Sequence, residues 1–394
     1  MKIPFTKTFL ESEEISAVAR TIHSGWVTQG PEVEAFEQEF ANFVGAPYAS
    51  AVSSCTAALH LALRAAGVGS GDEVITVSHS FIATANAIRY CGAKAVFVDI
   101  EPGTFNIAPG LLERVVSSRT KAILCVHQMG MPCDLRMIVD VGLKAGIPVV
   151  EDAACAIGSE ILWQDHWEKI GRPHGDVACF SFHPRKLLTT GDGGMITTSH
   201  PDWDMKFKLW RHHGMDIPDS IRHKEQRIVF EQYKDLGYNY RLTDIQAAVG
   251  REQLKRIPAF VKQRRKLGNR YMNLLAAISG LGLPLESEWA HSNWQSFCVR
   301  LPQERRQPEV MKFLLDRGVS TRRGVMNAHE EEAYGPDDWS CGCSKEDCHC
   351  PPRSCRLLVH SERAKNECII LPLYHVMTEA EQNYVVKTLA EALI

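Results

Sequence analysis

Seven short apolar runs punctuate the first half of the chain, at 48–54, 73–78, 94–100, 120–127, 147–152, 176–182 and 194–198. Stretches with helical spacing lie between the early ones, at 56–66, 81–91, 109–117 and 134–145. The runs are continuously apolar rather than alternating, so strands made from them must be covered on both faces. Such an alternation predicts an α/β fold with a large, mostly parallel seven-stranded sheet. A charged, helix-periodic stretch at 251–275 predicts a long connector to a smaller α+β unit, with elements at 294–300, 309–318 and 378–392. The expected division is a large domain over 1–255 and a small C-terminal domain over 256–394, which carries a cysteine-rich insertion at 341–355. A length of 394 residues accommodates such a pair.

The bulk composition argues against some partners. With 45% hydrophobic residues, 23% charged residues and a net charge of −3, nothing points to a basic nucleic-acid surface or a membrane-seeking one. No apolar run approaches the roughly 20 residues that span a bilayer. The start, Met1–Thr6, has no apolar signal-peptide core. A cytoplasmic location is expected. Most of the 13 cysteines, such as Cys91, Cys125 and Cys179, sit in apolar segments and read as reduced, small hydrophobes.

Ligands of parallel sheets bind at the carboxyl ends of strands. Asp152 closes the run Ile147-Pro148-Val149-Val150-Glu151-Asp152, and Lys186 follows Ser181-Phe182-His183-Pro184-Arg185. An acid at one strand end and a lysine past a later one match what pyridoxal 5'-phosphate (PLP) chemistry requires. The lysine forms a Schiff base, and the acid keeps the pyridine nitrogen protonated so that the ring acts as an electron sink. Ser53-Ser54-Cys55-Thr56-Ala57 ends one strand and opens a helix, a place for a phosphate or simply for N-capping by Ser54 or Thr56. Phe81 is a candidate to stack on a flat ring, or is core. Ser181 and His183 are candidates to reach phosphate or substrate; a structural role for His183 is the alternative.

The chain resembles the DegT/StrS family of sugar aminotransferases, on the aspartate aminotransferase superfold. The matching stretches are Gly25–Pro31, Ser53–Ala58, Gly71–Thr76, Glu151–Ala154, Phe180–Lys186 with Gly193-Gly194, and Gly237–Asp244. Weaker matches are His329 and Leu371-Pro372-Leu373. The resemblance implies that Lys186 holds the cofactor and moves the proton, and that Asp152 pairs with the pyridine nitrogen. It implies that Thr56, the Ala57 backbone and Ser181 hold the phosphate, and that Phe81 stacks on the ring. It further implies that Asn239 reaches the phosphate bound in a neighbouring subunit, so that a homodimer shares its active sites. Trp26, Thr28, Arg241 and His329 would face the sugar. Cys155 stands where the family usually has Gln or His against the cofactor's ring hydroxyl, and a thiol is a weaker partner. Leu187 and Asp192 replace a common Asn and Glu.

The expected reaction moves an amino group from L-glutamate to the keto carbon of a nucleotide-linked keto sugar, in two half-reactions on one lysine, for amino sugar and polysaccharide biosynthesis. A keto-cyclitol acceptor is the alternative. A sugar dehydratase on the same scaffold would carry His in place of Lys186, and a non-catalytic regulator would not need the intact chemistry residues.

Cys341, Cys343, Cys348, His349, Cys350 and Cys355 crowd a polar segment that has no counterpart in the resemblance. Cys343, Cys348, Cys350 and Cys355 are the expected ligands of a structural zinc, with Cys341 or His349 as substitutes. A reduced loop without metal is the alternative, and disulfides, disfavoured in a cytoplasmic compartment, are the third.

Overall fold

The computed structural model describes residues 1–217, 230–343, 350–351 and 353–394. Two helices, α1 (Ser12–His23) and α2 (Pro31–Val44), precede the sheet. The chain then alternates β1 (Tyr48–Val52), α3 (Cys55–Ala65), β2 (Glu73–Val77), α4 (Ala83–Tyr90), β3 (Lys94–Val98), β4 (Thr120–Val126), α5 (Leu135–Ala145) and β5 (Val149–Asp152). A hairpin of β6 (Glu160–Trp163) and β7 (His166–Lys169) leads to β8 (Val177–Ser181), β9 (Gly194–Thr198) and α6 (Pro201–Trp210). The long helix α7 (Asp244–Leu275) crosses to β10 (Ala290–His291), β11 (Phe297–Arg300), α8 (Gln307–Asp316), β12 (Arg322–Arg323), β13 (Trp339–Ser340), α9 (Val359–Glu367), β14 (Cys368–Leu371) and α10 (Glu379–Ala392).

The main sheet has the order β1-β9-β8-β5-β4-β2-β3-β13. Its pairings are parallel from β8 to β13, and β9 runs antiparallel to both neighbours. The seven expected strands are all present, and the two-residue β13 adds an eighth at the edge. Successive residues of each central strand bury on opposite faces, the period-2 rule for a strand covered twice. Ile75, Val77, Ile123 and Cys125 pack with α2, α5 and α7, whereas Val74, Ala122 and Leu124 pack with α3, α4 and α6. A separate core around Tyr271, Phe297, Leu314, Ile369 and Leu389 joins the second half of α7 to the sheet β11-β14-β12 and to α8 and α10.

The helix expected over 109–117 is only a 3₁₀ turn at Pro109–Leu111. Gly110 and the run Val115-Val116-Ser117-Ser118 disfavour helix, and α4 and α5 already flank the sheet. Gln164 and Asp165 join β6 to β7 with φ of 47° and 68°, the left-handed pair of a tight hairpin turn.

Helix α7 begins at Asp244, before the expected 251, and that start fastens the N-terminal region. Gly30 caps α2 without a side chain of its own. The Asp244 carboxylate replaces that cap: Oδ1 accepts from Gly30 N–H at 2.7 Å and Val33 N–H at 3.0 Å, and Oδ2 accepts from Glu32 N–H at 3.2 Å. These are the donors a helix N-terminus leaves open. Asp244→Ala strands them in a buried place and is expected to cost about 3 kcal/mol. Thermal melting should show a fall of roughly 3–4 °C, since an unfolding entropy of about 2.1 cal/mol/K per residue over a chain of this length makes 1 kcal/mol worth a little over 1 °C. A loss below about 1 kcal/mol would mean that water replaces the carboxylate.

Candidate active site

Strands β5 and β8 are parallel neighbours, with Asp152 opposite Cys179. Their carboxyl ends therefore open at one place, and the loop from β8 to β9 carries Lys186 over it. Gly194 makes this possible. A Cβ there would lie 2.6 Å from the Ser54 carbonyl carbon and 2.8 Å from Cys55 N, so only glycine lets β9 pass against the start of α3.

Glu151 and Asp152 divide by the strand alternation. Glu151 is fully buried on the far face, where it accepts from His127 Nε2 at 3.0 Å and Gly175 N–H at 2.9 Å. The Cys133 N–H donates to His127 Nδ1 at 3.0 Å, which leaves the ring proton on Nε2. That pair is scaffold. Asp152 faces the site. Its Oδ2 accepts from Thr84 Oγ1 at 2.8 Å and its Oδ1 from Ala154 N–H at 3.2 Å. Burial pushes its carboxyl above the usual range, against those two donors and the charge of Lys186.

Lys186 Nζ lies 3.0 Å from Cys155 Sγ. Burial works to lower the lysine pKa, but Cys155, Cys55 and Asp152 outweigh it and hold it above the ordinary value. His183 shapes the turn: its carbonyl accepts from Lys186 N–H at 2.8 Å and its Nδ1 from Arg185 N–H at 3.2 Å. Burial, then the Arg185 charge, lower the His183 imidazole pKa, so it is neutral at pH 7.

Ser54 is the cap of α3, accepting from Ala57 N–H at 3.1 Å. Helix geometry leaves the N–H groups of Cys55 and Thr56 without intrahelical partners at the same end. Ser181 closes β8, and its Oγ accepts from His183 N–H at 3.5 Å. Phe81 is 65% exposed, a large apolar ring standing free beside the buried Ser80 and Thr84.

Thr84, Asn293 and Gln295 were not foreseen from the sequence. Gln295 spans the lysine: its Oε1 accepts from Leu187 N–H at 3.1 Å and its Nε2 donates to the Arg185 carbonyl at 2.7 Å. Asn293 Nδ2 donates to the carbonyls of Cys155 at 2.8 Å and Ile157 at 2.9 Å. Buried Arg264 holds the Trp294 and Gln295 carbonyls at 3.0 and 3.1 Å. No local motif signals these contacts, because each crosses from a distant segment.

The other expected site residues make different contacts within one chain. Trp26 Nε1 donates to the Gln29 carbonyl at 3.1 Å, and the Thr28 carbonyl accepts from Asp244 N–H at 3.0 Å. Arg241 bonds His212 Nδ1 at 2.8 Å and lines a cavity of about 670 Å³ with Gln29, Arg211 and His212; Lys186 does not line it. Asn239 is exposed and bridges to His212. His329, expected to face the sugar, is fully buried between Ser78 Oγ at 2.6 Å and Glu362 Oε1 at 3.3 Å, where it braces the strand end ahead of Phe81. Cys343, Cys350 and Cys355 lie near β13, five strand positions from β8, or about 24 Å across the sheet. Cys348 and His349 fall outside the described residues.

The residues fit PLP. A buried carboxylate with one hydroxyl and one amide donor lacks a cationic partner of the right shape, and a protonated pyridine nitrogen is one. The primary amine of Lys186, the open first turn of α3 and the exposed Phe81 ring suit its aldehyde, phosphate and face.

Comparison with known proteins agrees. The model of the DegT/DnrJ/EryC1/StrS aminotransferase family matches residues 9–390. The chain is 39% identical over 303 residues to the spore coat polysaccharide biosynthesis protein SpsC of Bacillus subtilis (strain 168), covering 77% of each chain. Among solved structures it superposes on the aminotransferase TlmJ of Streptoalloteichus hindustanus with a TM-score of 0.87 and 31% identity, covering 99% of this chain and 98% of that one. The PLP form of the putative sugar aminotransferase Spr1654 of Streptococcus pneumoniae gives 0.88 and 25%, covering 100% and 99%. With a family match along nearly its whole length, the chain belongs to the DegT/DnrJ/EryC1/StrS family and is a PLP-dependent aminotransferase.

Proposed function

We propose that the enzyme takes the amino group of L-glutamate and delivers it to the keto carbon of a nucleotide-linked keto sugar. The observation that carries this reading is the placing of Lys186 Nζ beside Cys155 and next to the charge of Asp152, within a chain of the sugar aminotransferase family. The SpsC relative, a polysaccharide biosynthesis protein, supports a sugar acceptor.

When bound, PLP supplies an electron sink and carries nitrogen from donor to acceptor. Each residue of the chain has a separate task. Asp152 keeps the ring nitrogen's proton, and Thr84 fixes the carboxylate that does so. Lys186 Nζ takes a proton from one carbon and returns it to the next. Cys155 would stand against the ring hydroxyl as a weak donor. Phe81 covers one face of the ring. Thr56, Ser181 and the first turn of α3 hold the phosphate. A second copy of the chain supplies Asn239 to that phosphate, and the Trp26–Thr28 loop and Arg241 face the sugar. Donor and acceptor use one site in turn, so kinetics are ping-pong. Among the described residues no helix is long and apolar enough to cross a membrane.

The test is a panel of keto sugars linked to different nucleotides, each incubated with the PLP-loaded enzyme and L-glutamate and read by mass spectrometry. One acceptor should gain an amine as 2-oxoglutarate appears. Release of 2-oxoglutarate with no acceptor aminated across the panel would reject the nucleotide-sugar assignment, and its absence would reject glutamate as donor. In the same assay, mixed Lys186→Ala and Asn239→Asp chains should recover activity that neither has alone, because one site of each heterodimer is intact. No recovery after demonstrated subunit exchange would reject a shared site.

A further inference from the structure

Four cysteines that the transamination chemistry does not use converge at the far edge of the main sheet. Cys341 follows directly on β13, which the pairs Trp339↔Ala95 and Ser340↔Val96 fix to β3. Gly342 turns the chain at φ +75°, and a Cβ there would fall 2.2 Å from Val115 Cγ1, so this position accepts only glycine. The turn leaves Cys343, like Cys350, packed against the cluster that contains Cys341 and Cys355. Cys355 sits just ahead of α9 with its N–H donated to Glu362 at 2.5 Å. Its sulfur is 3.4 Å from that of Cys350 and within hydrogen-bonding reach of Cys341. The Cys341, Cys350 and Cys355 sulfurs all lie within 4.8 Å of one another.

These separations discriminate between two chemistries. A disulfide needs sulfurs about 2.05 Å apart. A tetrahedral zinc with four thiolates at about 2.3 Å sets them about 3.8 Å apart. The Cys341, Cys350 and Cys355 sulfurs are free thiols within 4.8 Å of one another, with 3.4 Å between Cys350 and Cys355, which is too far for a disulfide in that pair and close enough for the three to share one metal ion. Cys341 and Cys355 are almost fully buried, at 4% and 1% exposure, while Cys343 and Cys350 are part-exposed, which leaves a route for a metal to enter. Other thiol neighbours in the chain, such as Cys125 with Cys133 and Cys298 with Cys368, are buried pairs rather than a set of three with a fourth packed beside it. The Arg356 guanidinium acts on Cys343 and would offset part of the negative charge of a zinc tetrathiolate.

We infer that Cys341, Cys343, Cys350 and Cys355 bind one structural Zn²⁺. Soft thiolate ligands in a tetrahedral set select zinc over the hard cations. Binding releases the thiol protons and ties β13 to the turn before α9. The site thus closes the Cys-rich segment against the sheet, and from Cys355 the contacts run through Glu362 and His329 to Ser78 at the end of β2.

The full-length PLP enzyme, purified without chelator, should contain one zinc per chain by elemental analysis. Exchange with Co²⁺ should give the ligand-field and thiolate charge-transfer bands of a tetrahedral sulfur site. Cys350→Ser should bind zinc at least about 100-fold more weakly, since even partners behind metal ligands are worth 10- to 100-fold. Cys91→Ser should bind it normally. Chelation should lower the melting temperature by several degrees and leave turnover at moderate temperature close to normal. Zinc well below one per chain, cobalt spectra without sulfur charge transfer, or disulfides among these cysteines in nonreducing peptide maps would each overturn the site. The cobalt spectrum of the unmodified enzyme decides the matter if the serine variant does not fold.

Discussion

Lys186→Ala should lower turnover by a factor on the order of 10⁴, roughly 5 kcal/mol of barrier. In the proposed reaction the residue anchors the cofactor and moves the proton, and the side chain hydrogen-bonded to its Nζ, Cys155, is no amine to replace it. The fold should survive. The loop around the lysine is held by main-chain bonds to His183 and by the two Gln295 bonds, none of which uses the lysine side chain. Circular dichroism and melting should therefore stay near the parent while steady-state turnover collapses. A small primary amine added to the variant should restore part of the rate. Borohydride reduction of the parent, followed by peptide mapping, should place the cofactor on Lys186. A variant that keeps more than about a tenth of the parental rate would remove Lys186 from this role.

Asp152→Asn should reduce turnover at least ~10²-fold, about 2.7 kcal/mol, while leaving stability intact or improved. The two effects have opposite signs for one reason. Burial raises the Asp152 carboxyl pKa in the folded protein above its unfolded value. Without cofactor the folded state then binds more protons than the unfolded state between those two values, so stability falls as pH rises through that window. Above the folded-state pKa the cofactor-free enzyme carries the whole penalty, and neutral Asn abolishes it. With cofactor the same negative charge holds the ring nitrogen's proton, which Asn cannot do. Melting of the cofactor-free variant at pH 5 and pH 8 should show a smaller decline than the parent. A near-normal rate would reduce Asp152 to a strand-end residue.

The sheet was legible because burial on both faces writes itself as uninterrupted apolar runs; every run from 48–54 to 194–198 became a strand. Asp152 and Lys186 were legible because strand ends in parallel sheets collect chemistry and the two residue types are complementary. What escaped has a common cause. β13 has two residues and no pattern, and it forms because β3 offers it an open edge. The β6–β7 hairpin is partly solvated on both sides and carries charge, so it lacks the apolar signature. The stretch 109–117 had helical spacing, but its backbone preferences favoured a turn. Thr84, Asn293 and Gln295 act on the site through contacts made only in three dimensions. Even Asp244, within a matching motif, reveals nothing locally of its hold on α2.

The Gln295 clamp bears on how the enzyme is made. The reactive lysine is at position 186, but both bonds that straddle it come from position 295, about three quarters of the way along the chain. At ribosomal speeds of roughly 5–20 residues per second, the intervening segment takes on the order of 5–20 s to synthesise. Throughout that interval the nascent lysine loop lacks its brace, whatever strands have already paired. Vitamin B6 capture is thereby set late in biosynthesis, and a message broken before codon 295 encodes a polypeptide with the lysine and aspartate but without the part that holds the lysine in place.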